Sequence, residues 1–186
     1  ELFYKLYDRI SAETVMEFVT FEKQNPNSVL SCISRARENA RTVREQISSE
    51  MWERLNKLYL YIRSDKARTD FRNTPFDFYR SVIDDSHLFQ GITDATMTHG
   101  EGWDFIQVGK YLERADSTSR VLDIKYHILL PTGEPVGGNV DLTQWMAVLR
   151  SCSAVEAYLK VRVGHISASE IAQFLILHPS FSRSIR

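Results

Sequence analysis

The residues best spaced to do chemistry lie in one stretch, Gly102 to Leu130 (GWDFIQVGKYLERADSTSRVLDIKYHILL). Glu113, Asp116, Arg120, Asp123 and His127 follow one another at steps of three and four, which sets them in a row on one face of a helix. In such a row a carboxylate can exchange a proton and an arginine can hold an anion, so Glu113, Asp116 and Arg120 are the candidate catalytic groups. The same spacing also suits plain ion pairing, Asp116 with Arg120 and Arg120 with Asp123. Surface pairs of that kind contribute only about 0.3–0.5 kcal/mol each. A polar site between helices and a solvated salt-bridge row both remain open at this point.

A second charged row, Arg37, Arg41 and Arg44, is a candidate grip for phosphate or carboxylate. Glu38 and Glu45 stand within reach, so a charge-balanced outer face is the alternative. Metal chemistry has little to build on. Di-metal bundles use inward Glu residues and Glu-x-x-His pairs, whereas His87, His99, His127, His165 and His178 are scattered and none completes that motif. No metal is expected. No glycine-rich loop precedes a helix in the phosphate-cradling pattern, so no nucleotide or other cofactor is expected either. Cys32 and Cys152 have no histidine near them in sequence, and buried free thiols are the expectation.

The elements that must position these residues all read as helices. Within Gly102–Leu130 the positions Phe105, Val108, Leu112, Ala115, Ser119, Leu122, Tyr126 and Leu129 repeat at alternating steps of three and four, which predicts a seam facing a partner helix beside the polar row. Residues 2–8 read as the end of a helix, and Ser11 caps another that runs to about Phe21. Asn25-Pro26 signals a helix start, cap then proline, for the segment carrying Ile33, Ala40 and the arginine row. Ser49 caps a helix with Met51, Leu55, Leu58 and Ile62 inward. Residues 64–74 (SDKARTDFRNT) are polar and read as a loop, and Thr74-Pro75 restarts a helix. His99 to Gly102 is a break, and Pro131 to Asn139 a loop. Asp141 with Gln144 resembles a capping box for a helix running to about Val163, with Trp145, Leu149 and Cys152 inward, and Ser167 with Glu170 is a second box. No strand pattern is visible. The predicted fold class is all-α, a helical bundle forming a single domain over residues 1–186.

Composition excludes several classes of partner. The chain is 43% hydrophobic and 25% charged with a net charge of −1, which makes no electrostatic case for nucleic acid or an anionic membrane. No apolar run approaches the roughly 18 residues a bilayer span requires. Two cysteines form no disulfide framework, and a cytoplasmic location is the expectation.

Residues 10–18, ISAETVMEF, match residues 166–174, ISASEIAQF, at an ungapped offset of 156. Two similar helical corners would explain this, as would an internal duplication. Under duplication both ends of the chain fall inside helices, the fold is truncated at each end, and Leu2, Phe3, Leu6, Phe181 and Ile185 need a neighbouring molecule to cover them. A homo-oligomer would provide one.

VGKYLERADSTSRVLD strongly resembles the signature of the Alpha-E proteins, all-helical bacterial proteins with a Glu-Arg motif, here Glu113-Arg114. NPNSVLSCISRARENARTVRE, SSEMWERLN, GITDATMTHGEGW, WMAVLRSCSAVEAY and FLILHPSFSRSIR resemble further blocks of that family, in family order. Lys110 departs from the pattern where the family usually has arginine. The resemblance implies a motif set of Glu113, Arg114, Asp116, Arg120 and Asp123. It also implies partners, since the family's genes tend to neighbour those of ATP-grasp-like ligases and transglutaminase-like proteins. The expected function is therefore a helical scaffold or partner protein in an amide-forming or peptide-modifying system. The alternatives are an enzyme of that system using the polar row, and a small-molecule or metal-binding module. Glu113 and Arg114 are consecutive and lie about 100° apart on a helix. Each is thus expected to reach a different neighbour: Glu113 an arginine of the Arg37/Arg41/Arg44 row or a backbone N–H, Arg114 a carboxylate or a helix C-terminal carbonyl.

Overall fold

The computed structural model describes residues 1–127, 135–161 and 166–186. Among them the fold is all-α, with ten α-helices, one short 3-10 turn and no strand. The helices are α1 (Leu2–Leu6), α2 (Ala12–Thr20), α3 (Val29–Thr42), α4 (Ser49–Ile62), α5 (Asp65–Asn73), α6 (Pro75–Thr96), α7 (Glu101–His127), α8 (Asn139–Ser151), α9 (Val155–Val161) and α10 (Ala168–Leu177). They group into two compact units, Glu1–Trp103 and Asp104–Arg186.

In the first unit α3 packs on α4, and α4 and α5 pack on α6. Met51, Leu55, Leu58 and Ile62 recur on one stripe of α4 and are all buried, as their spacing predicts. The core is completed by Phe21, Phe71 and Phe78, whose rings meet edge-on or tilted at 5.2–5.9 Å. Contacts of this geometry add to the burial of the rings themselves. Pro75 opens α6 at its first position, where the missing N–H costs nothing.

Three expectations for this unit are corrected. Ser49 does not cap α4 but is its first residue, and Ser48 takes the cap, accepting from the Met51 N–H. Residues 64–74 are not a loop but contain α5. Ser64 caps it by accepting from the Ala67 N–H, and Ala67 and Phe71, one turn apart, bury its inner face. An apolar stripe of two residues in a polar run is too narrow for periodicity to register. Asn25-Pro26 does not start α3. Asn25 is buried in the preceding corner, where its Oδ1 accepts from the Asn27 N–H and its Nδ2 donates to the Phe18 carbonyl. Asparagine favours such local bonds as much as a cap position, and Ser28 takes the cap instead, accepting from the Ser31 N–H.

In the second unit Trp145, Val148, Leu149, Tyr158, Ile171, Phe174 and Leu175 form the core, with Val121 and Leu122 of α7 packed on it. The helix expected from Asp141 to about Val163 is two helices. It breaks at Cys152–Ala154, where Ser153 takes a left-handed backbone (φ 51°) and the Ala154 N–H donates to the Leu149 carbonyl. Small side chains let the chain turn there, since Ala154 is fully buried. Asp141 does not cap the start. α8 begins one residue after Gly138, and Asp141 reaches back from inside the helix to accept from the Gly137 N–H at 2.8 Å. Gly137 has φ +81°, a conformation that favours glycine.

The matched segments at offset 156 each begin on a serine-capped helix, Ser11 before α2 and Ser167 before α10. The central helix runs unbroken for 27 residues, with Lys110 to Tyr126 helical throughout. Residues 128–134, which include the first four residues of the expected loop, and His165 lie outside the described residues.

Candidate functional site

Helix α7 buries one stripe against α8 and the segment after α10, and the stripe it buries decides where its charged residues go. The most buried positions in its second half are Thr118 and Lys125, with Arg114 and Val121 half-buried on the same row. These positions step by four, three and four, a helical face as regular as the expected seam but displaced around the axis. The expected seam itself is largely open: Phe105 is 69% exposed, Leu112 66% and Tyr126 79%, while Leu122 packs inward. Polar fixings explain the displacement. The Thr118 hydroxyl donates to the Arg183 carbonyl at 2.9 Å, and Arg114 donates to the Ser182 carbonyl at 3.3 Å, tying α7 to the segment that follows α10.

The polar row therefore faces water. Arg120 and Asp116 form an ion pair at 2.7 Å with both side chains exposed, and His127 and Asp123 stand 3.4 Å apart, also exposed. Hydrogen bonding to Asp116 raises the Arg120 guanidinium's pKa further. Glu113 is exposed and makes no hydrogen bond or ion pair within its unit among the described residues. The Glu-Arg motif thus splits by function in the fold: its arginine is a tether and its glutamate is presented to solvent.

The arginine row belongs to the first unit, and each member is engaged there. Arg37 lies over the rings of Trp52 (5.4 Å) and Tyr59 (4.8 Å) and donates to Asn56 at 3.2 Å. Arg44 also lies over the Trp52 ring, 5.8 Å from its centre, and donates to the Ile47 carbonyl. Arg41 bonds Glu38, which holds that carboxyl below its usual range. Arg37 therefore stitches α3 to α4, and Arg44 stitches the 3-10 turn after α3 to α4, through cation–π contacts.

The structure also shows ionic features that spacing did not reveal. Lys125 and Asp141, both 3% exposed at the side chain, pair at 2.5 Å. Lys125 sits 5.3 Å from the Trp145 ring centre. Burial pushes the Asp141 carboxyl up, but Lys125 and the Gly137 N–H more than offset this, and the net shift is downward. Lys125 looked like one more polar residue of α7, and Asp141 like a cap. In the first unit Arg54 of a second Glu-Arg pair, Glu53-Arg54, forms an ion pair with Asp85 of α6. Cys152 is buried, its thiol pushed up by burial, and Cys32 is exposed. Among the described residues no group of three or more His, Cys, Asp or Glu side chains is gathered that would hold a metal ion. Among the same residues no helix is long and apolar enough to cross a membrane.

The whole chain, residues 1–186, matches the family described as a predicted alpha-helical domain with a conserved ER motif. The chain belongs to the Alpha-E family. No curated protein and no solved structure matches it. For an Alpha-E chain the unequal surroundings of Glu113 and Arg114 are the informative result, because they separate what holds the helix in place from what it offers to solvent.

Proposed function

We propose that this Alpha-E protein is a helical scaffold or partner protein in an amide-forming or peptide-modifying system, docking its partner along α7. The observation that carries this reading is the exposed apolar row Phe105, Val108 and Leu112 at steps of three and four, next to the exposed Glu113 and the Asp116–Arg120 pair. An apolar stripe flanked by charge is what one helix offers another in a groove, and hot spots of such surfaces centre on large apolar side chains. Its partners are of the ATP-grasp-like ligase and transglutaminase-like classes that the family resemblance implies. The enzyme alternative would need Glu113, Asp116 or Arg120 enclosed on binding, because electrostatic catalysis depends on excluding water, and none of the three is buried in this chain.

The test is co-purification of the chain with a ligase and a transglutaminase-like protein of those classes, followed by an assay of ATP-dependent amide formation with and without it. Phe105→Asp and Leu112→Asp should abolish co-purification while leaving helix content unchanged, since both residues are exposed. Glu113→Gln should leave the melting temperature nearly unchanged. Loss of amide formation in Glu113→Gln with co-purification intact would favour the enzyme reading instead.

A further inference from the structure

The first unit holds a cavity of about 600 Å³ that the α7 row does not touch. Its floor is apolar and buried: Phe21, Leu30 and Ile62 are exposed by 3%, 6% and 1%. Its walls carry four cations from four places in the chain, Lys23, Arg35, Arg63 and Arg68, and no acidic side chain lines it. Glu17 is the one carboxylate paired with a lining cation among the described residues, on Arg68 at 3.0 Å. Four lining cations against one paired carboxylate give the cavity wall a net positive charge in a chain whose net charge is −1.

Three guanidiniums are already braced. Arg35 donates to the Pro26 carbonyl, Arg63 donates to the Tyr59 hydroxyl and lies over its ring, and Arg68 lies 4.6 Å from the Phe21 ring centre. With the further bonds from Arg35 to the Cys32 sulfur and from Arg68 to Glu17, each guanidinium spends at most two of its five N–H donors, so most of each fork remains available, and little side-chain freedom is left to lose on binding. The Ser34 hydroxyl donates to the Leu30 carbonyl, so the cations supply the donors. A volume of this size is typical of small-molecule sites, and arginine forks suit planar or tetrahedral oxyanions.

We propose that this cavity binds a small molecule carrying a doubly charged oxyanion group, a phosphate monoester or a dicarboxylate, attached to an apolar body that rests on Phe21, Leu30 and Ile62. This site is independent of the partner docking proposed for α7. Its charge was not legible in sequence, because Lys23, Arg35, Arg63 and Arg68 share no helical face and come from separate segments that meet only in the fold.

The experiment is calorimetric titration of the chain with phenyl phosphate and with phthalate, benzyl alcohol serving as the neutral probe, and nuclear magnetic resonance following the Phe21 ring and Ile62 methyl signals. One or both dianions should bind, shift those signals, and weaken as salt is raised. Binding of phenyl phosphate alone assigns the site to phosphate esters, and binding of phthalate alone to dicarboxylates. The double variant Lys23→Gln/Arg35→Gln should lose at least about tenfold in affinity while circular dichroism shows the helices intact. Arg120→Gln, in the other unit, should bind as the parent does. Lys23→Gln alone, at an exposed residue, should still weaken binding if the double variant unfolds. The proposal is overturned if neither dianion binds at millimolar concentration, if benzyl alcohol binds as well as they do, or if the folded variants bind undiminished.

Discussion

Lys125 and Asp141 show how far a single pair can govern a unit's stability. Both are buried, with Lys125 beside the Trp145 ring. Removing one member strands the other's charge, a loss of about 3–5 kcal/mol when burial is complete. Asp141→Asn and Lys125→Met should each show a loss of that size in urea unfolding. Acid sensitivity has a definite sign. The Asp141 carboxyl titrates below its ordinary value in the folded chain, whereas in the unfolded chain it titrates near about 3.9. Its contribution is present in full above that unfolded value and is lost as pH falls through the folded one. Stability of the parent should therefore drop below about pH 4, and Asp141→Asn should remove part of that slope. At the motif, Arg114→Lys should destabilise more than Glu113→Gln, because Arg114 bonds the Ser182 carbonyl and Glu113 is exposed.

Individual helices differ in how plainly the chain announces them. α4 was legible because four inward residues repeat over 14 positions, enough to fix both its type and its face. α5 was hidden because its stabilising parts are a serine cap, the Lys66–Asp70 pair at 2.6 Å and just two inward side chains. Ser64→Ala should cost about 1 kcal/mol and raise amide exchange across Asp65–Asn73 first. The break between α8 and α9 was missed for a related reason: the run Ser151-Cys152-Ser153 contains no glycine or proline, and a left-handed serine is invisible to punctuation rules. Ser153→Gly should be neutral or stabilising by up to about 1 kcal/mol, and Ser153→Val destabilising, since a branched side chain resists positive φ. Thermal melts of the two variants measure both effects.

At the scale of the whole molecule, sequence periodicity named the fold class and the long central helix but assigned the wrong flank of that helix to the core. Phe105, Leu112 and Tyr126 formed a convincing seam, yet hydrogen bonds from Thr118 and Arg114 and the Lys125–Asp141 pair turned the neighbouring row inward. Periodicity reports that a face is apolar and cannot report which face has a partner within reach. The polar row was legible as a row, and its exposure was not. Since each unit has its own core, Asp141→Asn should speed hydrogen exchange in α8, α9 and α10 and leave α4 and α6 unchanged.

The two cysteines fall one in each unit, and only one is within reach of a reagent. Cys32 lies exposed on α3, while Cys152 is 4% exposed and held in its protonated, unreactive form by burial. A thiol-labelling reagent should therefore modify the native chain once quickly and a second time only when the second unit opens. The slow phase is a clock for that opening: its rate should rise steeply in Asp141→Asn and stay fixed in Ser64→Ala, so that one colour change reads out the stability of the second unit without denaturant.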